Sequence, residues 1–300
     1  PDDKVPMIMS TGTYGYDWIE GMNWVIQFRP TYGHEWYAVL DWILASWPEE
    51  DLPLRFATVS SDVTPAYKEV DIIYSKVYKM ERYKGRAEYL GAAWVPVVPV
   101  DITDSIRPFI KKDVDWFIIQ TNTSHIVACA RACEALGKHC PIAVSTHSPL
   151  VFIAPTLGWD KMEGFCDSGA VASMLNYETA AYKEIWSKYR PPEADVVKDW
   201  NLTTVQFTVQ PFLFCRAVER AVADVGAANL TGQAIYNAFL EMDLSEEECM
   251  GLIRSAKWGM DAPFPLIDKL GAQIGAVKDG KYTLATPNWI PIPEIPPYYE

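Results

Sequence analysis

Ser10, Thr11, Gly12 and Thr13 stand together at the end of the short apolar run 5–9, and Tyr14, Tyr16 and Trp18 follow at once. Hydroxyl side chains offer donors and acceptors without net charge, and a glycine lets backbone amides approach a bound group closely. That chemistry suits a carboxylate or ammonium head group, whose charges need partners once water has been removed. The neighbouring rings supply apolar faces with polar edges on which a solute can stack. The same residue types also turn a chain and cap the next helix, so a purely local role stands beside the binding one.

Three further polar clusters end apolar runs in the same way. Ser60, Ser61 and Asp62 follow the run 54–59, Gln120, Thr121 and Asn122 follow 115–119, and Ser145, Thr146, His147 and Ser148 follow 141–144. Trp200 and Thr204 stand at the head of a long stretch with helical apolar spacing. Ordinary loop polarity accounts for such residues as well as contact with a ligand does. His147 invites a metal or catalytic role, but His34, His125 and His139 form no HxxxH pattern with it, so no metal and no cofactor is expected. A GxSxG elbow, a GxxxxGK[ST] loop and a GxGxxG turn are all missing, which argues against serine hydrolysis and nucleotide chemistry. An enzyme built on converging carboxylates such as Asp62, Asp101 and Asp167 stays open as an alternative.

These clusters need a scaffold that brings strand ends together. In 300 residues, 49% hydrophobic and 22% charged, there is enough apolar material for one large or two medium domains. The 39 acidic against 26 basic side chains leave a net charge of -13, which argues against a nucleic-acid partner. No apolar run is long enough to cross a bilayer, and the one around Trp94 to Val100 stops at Asp101. The sequence opens on Pro1 with no leader, so any export signal is expected ahead of it. Of the six cysteines, Cys133 and Cys140 flank Gly137 and could approach each other.

Strands over 54–59, 88–100, 115–120, 141–144 and 164–172 alternate with helices over 65–83, 104–112 and 124–136, the last closed by Gly137. Such alternation predicts an α/β fold with a mainly parallel sheet, whose ligands bind at the C-terminal edge of the strands. Helices are also predicted over 32–47, 177–189, 203–225, 232–242 and 245–255, the last opened by Ser245 with Glu248 as a capping box. A hairpin is predicted around Lys278, Asp279 and Gly280, ahead of a proline-rich tail.

The order of elements, with the segments 4–13, 28–30, 114–120, 133–137 and 278–282, resembles the type I periplasmic solute-binding proteins, in particular the branched-chain amino-acid receptors of ABC importers. The resemblance implies two Rossmann-like lobes with mainly parallel sheets joined by a hinge. Lobe one would comprise residues 1–48 and 174–264, and lobe two residues 49–173 and 265–300. It also implies a chain segment ahead of the strand at 5–10 that this sequence does not contain, leaving lobe one incomplete and calling for a missing N-terminal polypeptide.

On that resemblance the protein is a periplasmic or extracellular receptor, with a lipid anchor as one option, and not an enzyme. It captures a small solute, such as an amino acid, amide or aromatic acid, between the lobes by hinge closure and presents it to a membrane permease. Ser10, Thr11, Gly12, Thr13 and Tyr14 on one lobe, Ser61, Asp62, Gln120, Thr121, Thr146 and His147 on the other, and Trp200 and Thr204 near the hinge are then the ligand contacts. A ligand-sensing domain of a receptor or regulator is the alternative, since the same design serves there. The abundance of tryptophan, 12 in all, suggests a bulky or aromatic solute.

Overall fold

The computed structural model describes residues 4–10, 24–195, 199–259 and 262–294. Two units share the chain: residues 1–31, 170–273 and 287–294 in the first, and 32–169, 274–286 and 295–300 in the second. Sequence reasoning placed the breaks near 48, 173 and 264; here they fall at 31, 169, 273 and 286.

The chain starts with β1 (Met7–Met9) and β2 (Val25–Gln27), which pair in parallel with Met7 beside Val25. Helix α1 (Tyr32–Ser46) buries Trp36, Tyr37, Leu40 and Leu44 and belongs to the second unit, because its apolar faces pack on that unit's sheet. Strand β3 (Leu54–Ser60) leads to α2 (Pro65–Ser75), capped where Thr64 Oγ1 accepts from the Tyr67 amide at 3.3 Å. The helix predicted to reach Tyr83 ends eight residues early, and short 3₁₀ turns at 77–79 and 81–83 carry the chain on.

Then come β4 (Ala87–Trp94), α3 (Thr103–Ile110), β5 (Trp116–Ile118), α4 (Thr123–Ala135), β6 (Ile142–Ser145), α5 (Leu150–Leu157) and β7 (Cys166–Gly169). Gly137 takes φ +74° just past α4, the left-handed conformation that favours glycine at a helix end. Sequence reasoning missed α5, whose eight residues carry no charge and so show no amphipathic period.

The remaining elements are α6 (Leu202–Val225), α7 (Gly232–Leu240), β8 (Asp243–Leu244), β9 (Ala256–Gly259), β10 (Ala262–Pro265), β11 (Gly271–Lys278), β12 (Lys281–Leu284) and β13 (Ile290–Pro291). The helix predicted over 177–189 appears as a π turn at 181–186 followed by a short α turn at 187–189. The capping box at Ser245 and Glu248 forms, with the Ser245 amide donating to Glu248 at 2.8 Å and the Glu248 amide donating to Ser245 Oγ at 3.3 Å. No helix follows it: Met250 and Gly251 turn to φ +55° and +72°, and a cap alone cannot sustain propagation.

In the second unit the strand order is β12-β11-β7-β6-β5-β3-β4, and β4, β3, β5, β6 and β7 run parallel. The predicted hairpin joins β11 and β12, with Asp279 and Gly280 at φ +52° and +66°. On one side of the sheet Ala57, Val59, Phe117 and Val144 pack with Ile106, Ile126, Cys129 and Ile153. Elsewhere in this unit, Trp36, Tyr37, Phe56, Tyr74, Tyr83 and Tyr89 pack ring on ring at 5.0–5.6 Å for Trp36–Tyr74, Tyr37–Tyr83, Phe56–Tyr74 and Tyr74–Tyr89. Much of the aromatic content therefore builds core, and it carries no information about the solute.

Candidate functional site

Parallel packing brings the C-terminal ends of β3, β5, β6 and β7 to one edge of the second unit's sheet, with Ser145 in register with Ser168. Polar residues cross-tie these ends. Ser145 Oγ donates to Gln120 Oε1 in a very short bond and accepts the His147 amide at 3.2 Å. Ser148 Oγ donates to the Thr121 carbonyl at 3.1 Å, and Thr121 Oγ1 reaches the Val59 carbonyl at 3.4 Å. Ser60 Oγ donates to the Tyr67 carbonyl at 2.7 Å, tying β3 to the first turn of α2.

Over this frame lies Asn122. Its Oδ1 accepts from Tyr67 Oη at 2.8 Å and from His147 Nε2 at 3.2 Å, so three residues from three connections meet at one oxygen. The His147 ring lies edge-on to both Tyr32 and Tyr67, each at 6.4 Å between centroids. Ser61 is buried, and its Oγ has no hydrogen-bond partner among the described residues. A buried hydroxyl left unpaired is costly, and a ligand atom would satisfy it. The cluster brings together a phenol, an amide and an imidazole beside aromatic rings.

The residues singled out from sequence divide as follows. His147 is in the cluster and Ser61 is buried just after the end of β3; Gln120 and Thr121 are buried and use side-chain polar atoms to hold strand ends together. Thr146 is buried beside them, and Asp62 is exposed on the connection after β3. Asn122, in the polar strand end after 115–119, is where Tyr67 and His147 converge; Tyr67 and Tyr32 drew no role from sequence, because their convergence depends on the α2 and α1 connections and leaves no local signal. The three carboxylates considered for catalysis are in separate settings: Asp62 is exposed, Asp101 accepts from the Thr103 amide at 2.9 Å, and Asp167 is fully buried.

Asp167 Oδ2 accepts from the Leu150 amide at 3.0 Å and its Oδ1 from Tyr282 Oη at 2.5 Å. Burial raises its pKa to about 6, against the pull of those donors. His125, whose Nε2 meets the Pro96 carbonyl at 3.0 Å, is pushed down by burial. Among the described residues no group of three or more His, Cys, Asp or Glu side chains is placed to hold a metal ion.

In the first unit, Ser10 is the last described residue of the segment 10–14; Thr11, Gly12, Thr13 and Tyr14 lie outside the described residues. The Ser10 carbonyl accepts from Gln206 Nε2 at 3.0 Å and from Arg29 Nη1 at 3.4 Å, and Arg29 also donates to Gln206 Oε1 at 2.9 Å. Arg29 is fully buried, so this triangle pins the chain where the hydroxyl cluster begins. Neither Arg29 nor Gln206 drew a role from sequence, being 177 positions apart. Trp200 is buried, packed against Tyr182 and Trp186 at 5.6 and 5.3 Å. Thr204 Oγ1 donates to the Asp199 carbonyl at 2.6 Å while its amide donates to Asn201 Oδ1 at 3.0 Å, which caps α6.

This two-unit α/β architecture, with its mostly parallel sheet, is the type I periplasmic binding protein fold. Among solved structures the chain is similar to a branched-chain amino acid ABC transporter protein from Thermus thermophilus with bound valine, at 16% identity and a TM-score of 0.74, over 96% of this chain and 72% of that one. It is also similar to a leucine binding protein from Thermotoga maritima, at 13% identity and a TM-score of 0.63, over 95% and 73%. A fatty acid ABC transporter substrate-binding protein from Thermomonospora curvata aligns at 17% identity and a TM-score of 0.67, over 95% and 68%. No family model and no curated protein matches the sequence. No helix among the described residues is long and apolar enough to cross a membrane.

Proposed function

We propose that this chain is the solute-binding receptor of an ABC-type importer, acting in the periplasm or outside the cell and delivering a small molecule to a membrane permease. The observation that carries this reading is the polar cluster at the strand ends of the second unit, where Tyr67 and His147 converge on Asn122, with the unpaired Ser61 hydroxyl at the end of β3 on the same sheet edge. It lies at the edge where α/β sheets bind ligands. Phenol, amide and imidazole groups beside aromatic rings offer the hydrogen bonds and apolar faces that an amino acid, amide or aromatic acid needs. Ser61 and His147 are the contacts assigned here, Asp62 and Thr146 flank them, and Gln120 and Thr121 act through the frame. Ser10, Thr11, Gly12, Thr13 and Tyr14 are assigned as solute contacts of the first unit, with Trp200 and Thr204 supporting that unit.

The test is a thermal-shift and calorimetric panel of amino acids, their amides, aromatic acids and fatty acids, followed by solute uptake with the cognate permease. A bound solute at a hundred times its Kd stabilises the native state by about 2.7 kcal/mol, well within detection. Asn122→Ala is expected to weaken binding by about tenfold, since two hydrogen bonds that orient the cluster disappear. If no solute in the panel shifts the melting curve, or if Asn122→Ala and Ser61→Ala bind as the parent does, the assignment is wrong.

A further inference from the structure

At the other end of the second unit's sheet, where β6 begins, three buried thiols stand together. Cys129 and Cys133 are one turn apart on α4, and Cys140 stands two residues ahead of β6. The reversal between them is firmly held. The Leu136 and Lys138 amides donate to the Cys133 carbonyl at 3.1 and 3.0 Å, and Lys138 Nζ donates to the Val114 carbonyl at 2.5 Å. His139 Nε2 donates to the Glu163 carbonyl at 2.7 Å, and its ring stacks on Phe165 at 6.0 Å. The Cys133 and Cys140 side chains are hydrogen-bonded to each other. Both also line a cavity of about 280 Å³, walled by Lys138, His139, Leu157 and Lys161.

We infer that Cys133 and Cys140 are a modification site: exposed to a disulfide oxidant such as oxidised glutathione, they close an intrachain disulfide that ties the end of α4 to the start of β6. A disulfide needs Cβ atoms about 3.8 Å apart. Residues four apart on a helix hold theirs about 5–6 Å apart, which disfavours Cys129 as the partner of Cys133. The step is thiol–disulfide exchange. One thiolate of the pair attacks a glutathione sulfur, breaking that disulfide and releasing one glutathione thiolate. The second thiolate then attacks the mixed disulfide and releases the other. Two thiols are oxidised, one disulfide is reduced, and the two thiol protons pass to the released glutathione. The cavity gives the reagent its approach. Burial and hydrogen bonding among the thiols hold both pKa values above the ordinary thiol range, so the reaction is expected to quicken with pH, by roughly tenfold per unit. The inference stands apart from the solute reading and from any binding assay.

The experiment treats the full chain with oxidised glutathione at pH 7 and pH 9, denatures it under acid quench, alkylates it and maps it after trypsin. Cleavage after Arg131 and Lys138 puts the two cysteines on separate peptides, so the bridge appears as one crosslinked pair. Exposed Cys215 takes a single glutathione and serves as the internal control. Of six cysteines, Cys129, Cys166 and Cys249 are then expected to be alkylated. The crosslinked pair is expected to form faster at pH 9, and the oxidised protein is expected to melt higher than the reduced one. Glutathionylated Cys215 with both Cys133 and Cys140 alkylated at pH 9 would overturn the inference, as would a bridge from Cys129 to either.

Discussion

Replacing His34 by Gln is expected to remove about 2 kcal/mol of the stability loss that the protein undergoes between pH 7 and pH 5. His34 lies in the first turn of α1, fully buried, and burial pushes its pKa from 6.5 down to about 3. The unfolded chain therefore takes up a proton near pH 6.5 while the native chain does not, so stability is lost as pH falls through that range. At pH 5 the loss is about 2 kcal/mol, from 1.5 pH units at about 1.4 kcal/mol each. Asp167 acts in the opposite direction. Its native pKa of about 6 stands above the ordinary 3.8, so the native state binds the proton first and stability rises as pH falls below 6. At pH 5 that gain is about 1.4 kcal/mol. The parent should thus lose about 2 kcal/mol more than His34→Gln between pH 7 and pH 5, the Asp167 gain being common to both. His125, also lowered by burial, shifts both proteins alike and drops out of the comparison. Urea denaturation of the two proteins at pH 7, 6 and 5 reads the difference. Parallel pH profiles would refute the reasoning, because they would mean that His34 titrates in the native state much as it does in the unfolded chain.

Tyr282→Phe removes the hydroxyl that donates to the buried Asp167 carboxylate, and should cost about 2 kcal/mol at pH 7 and less at pH 5, where the carboxyl is protonated; urea midpoints at the two pH values check it. Gly275→Ala should cost about 1–3 kcal/mol or abolish soluble expression, because its Cβ would stand 1.8 Å from Tyr282 Oη and 2.8 Å from Asp167 Oδ1; a melting curve decides. Phe117→Ala leaves a cavity in the sheet's core and should lower stability by about 3–5 kcal/mol in the same assay. Asn201→Ala, which uncaps α6, should cost about 1 kcal/mol.

The polar strand ends could be located from sequence because each follows an apolar run that can only be a buried strand, and in a parallel sheet successive strands end on the same edge. The direction of individual side chains could not. Gln120 and Thr121 have the composition of ligand contacts, yet Ser145 takes the Gln120 side-chain oxygen and the Thr121 hydroxyl turns to the Val59 carbonyl, partners 25 and 62 positions away. Tyr67 follows a helix cap and looks like ordinary helix surface until Asn122, 55 positions on, is brought under its hydroxyl. Elements whose patterns are one-sided, such as α4 and the β11–β12 hairpin, could be found within a few residues. Those that failed had ambiguous or very short signals: α5 is apolar on every face, β2 has three residues, and the 245–255 segment begins with a cap and no helix behind it.

The cross-ties under the cluster bear on how a solute would be held. Gln120 and Ser145 join the ends of β5 and β6, Thr121 joins β5 to β3, and Ser148 returns to β5, so the backbone beneath Asn122 and His147 is fixed before any ligand arrives. Each of these bonds is buried, where a broken bond strands a donor or acceptor and costs more than its net contribution suggests. On the proposed reading, binding would spend little on ordering this cluster, and a solute would give the Ser61 hydroxyl its missing partner. For that reason substitutions in the frame, such as Gln120→Ala, should act on stability first and on affinity second. Substitutions at Ser61 or Asn122 should do the reverse, and measuring both quantities for both groups separates the frame from the contacts.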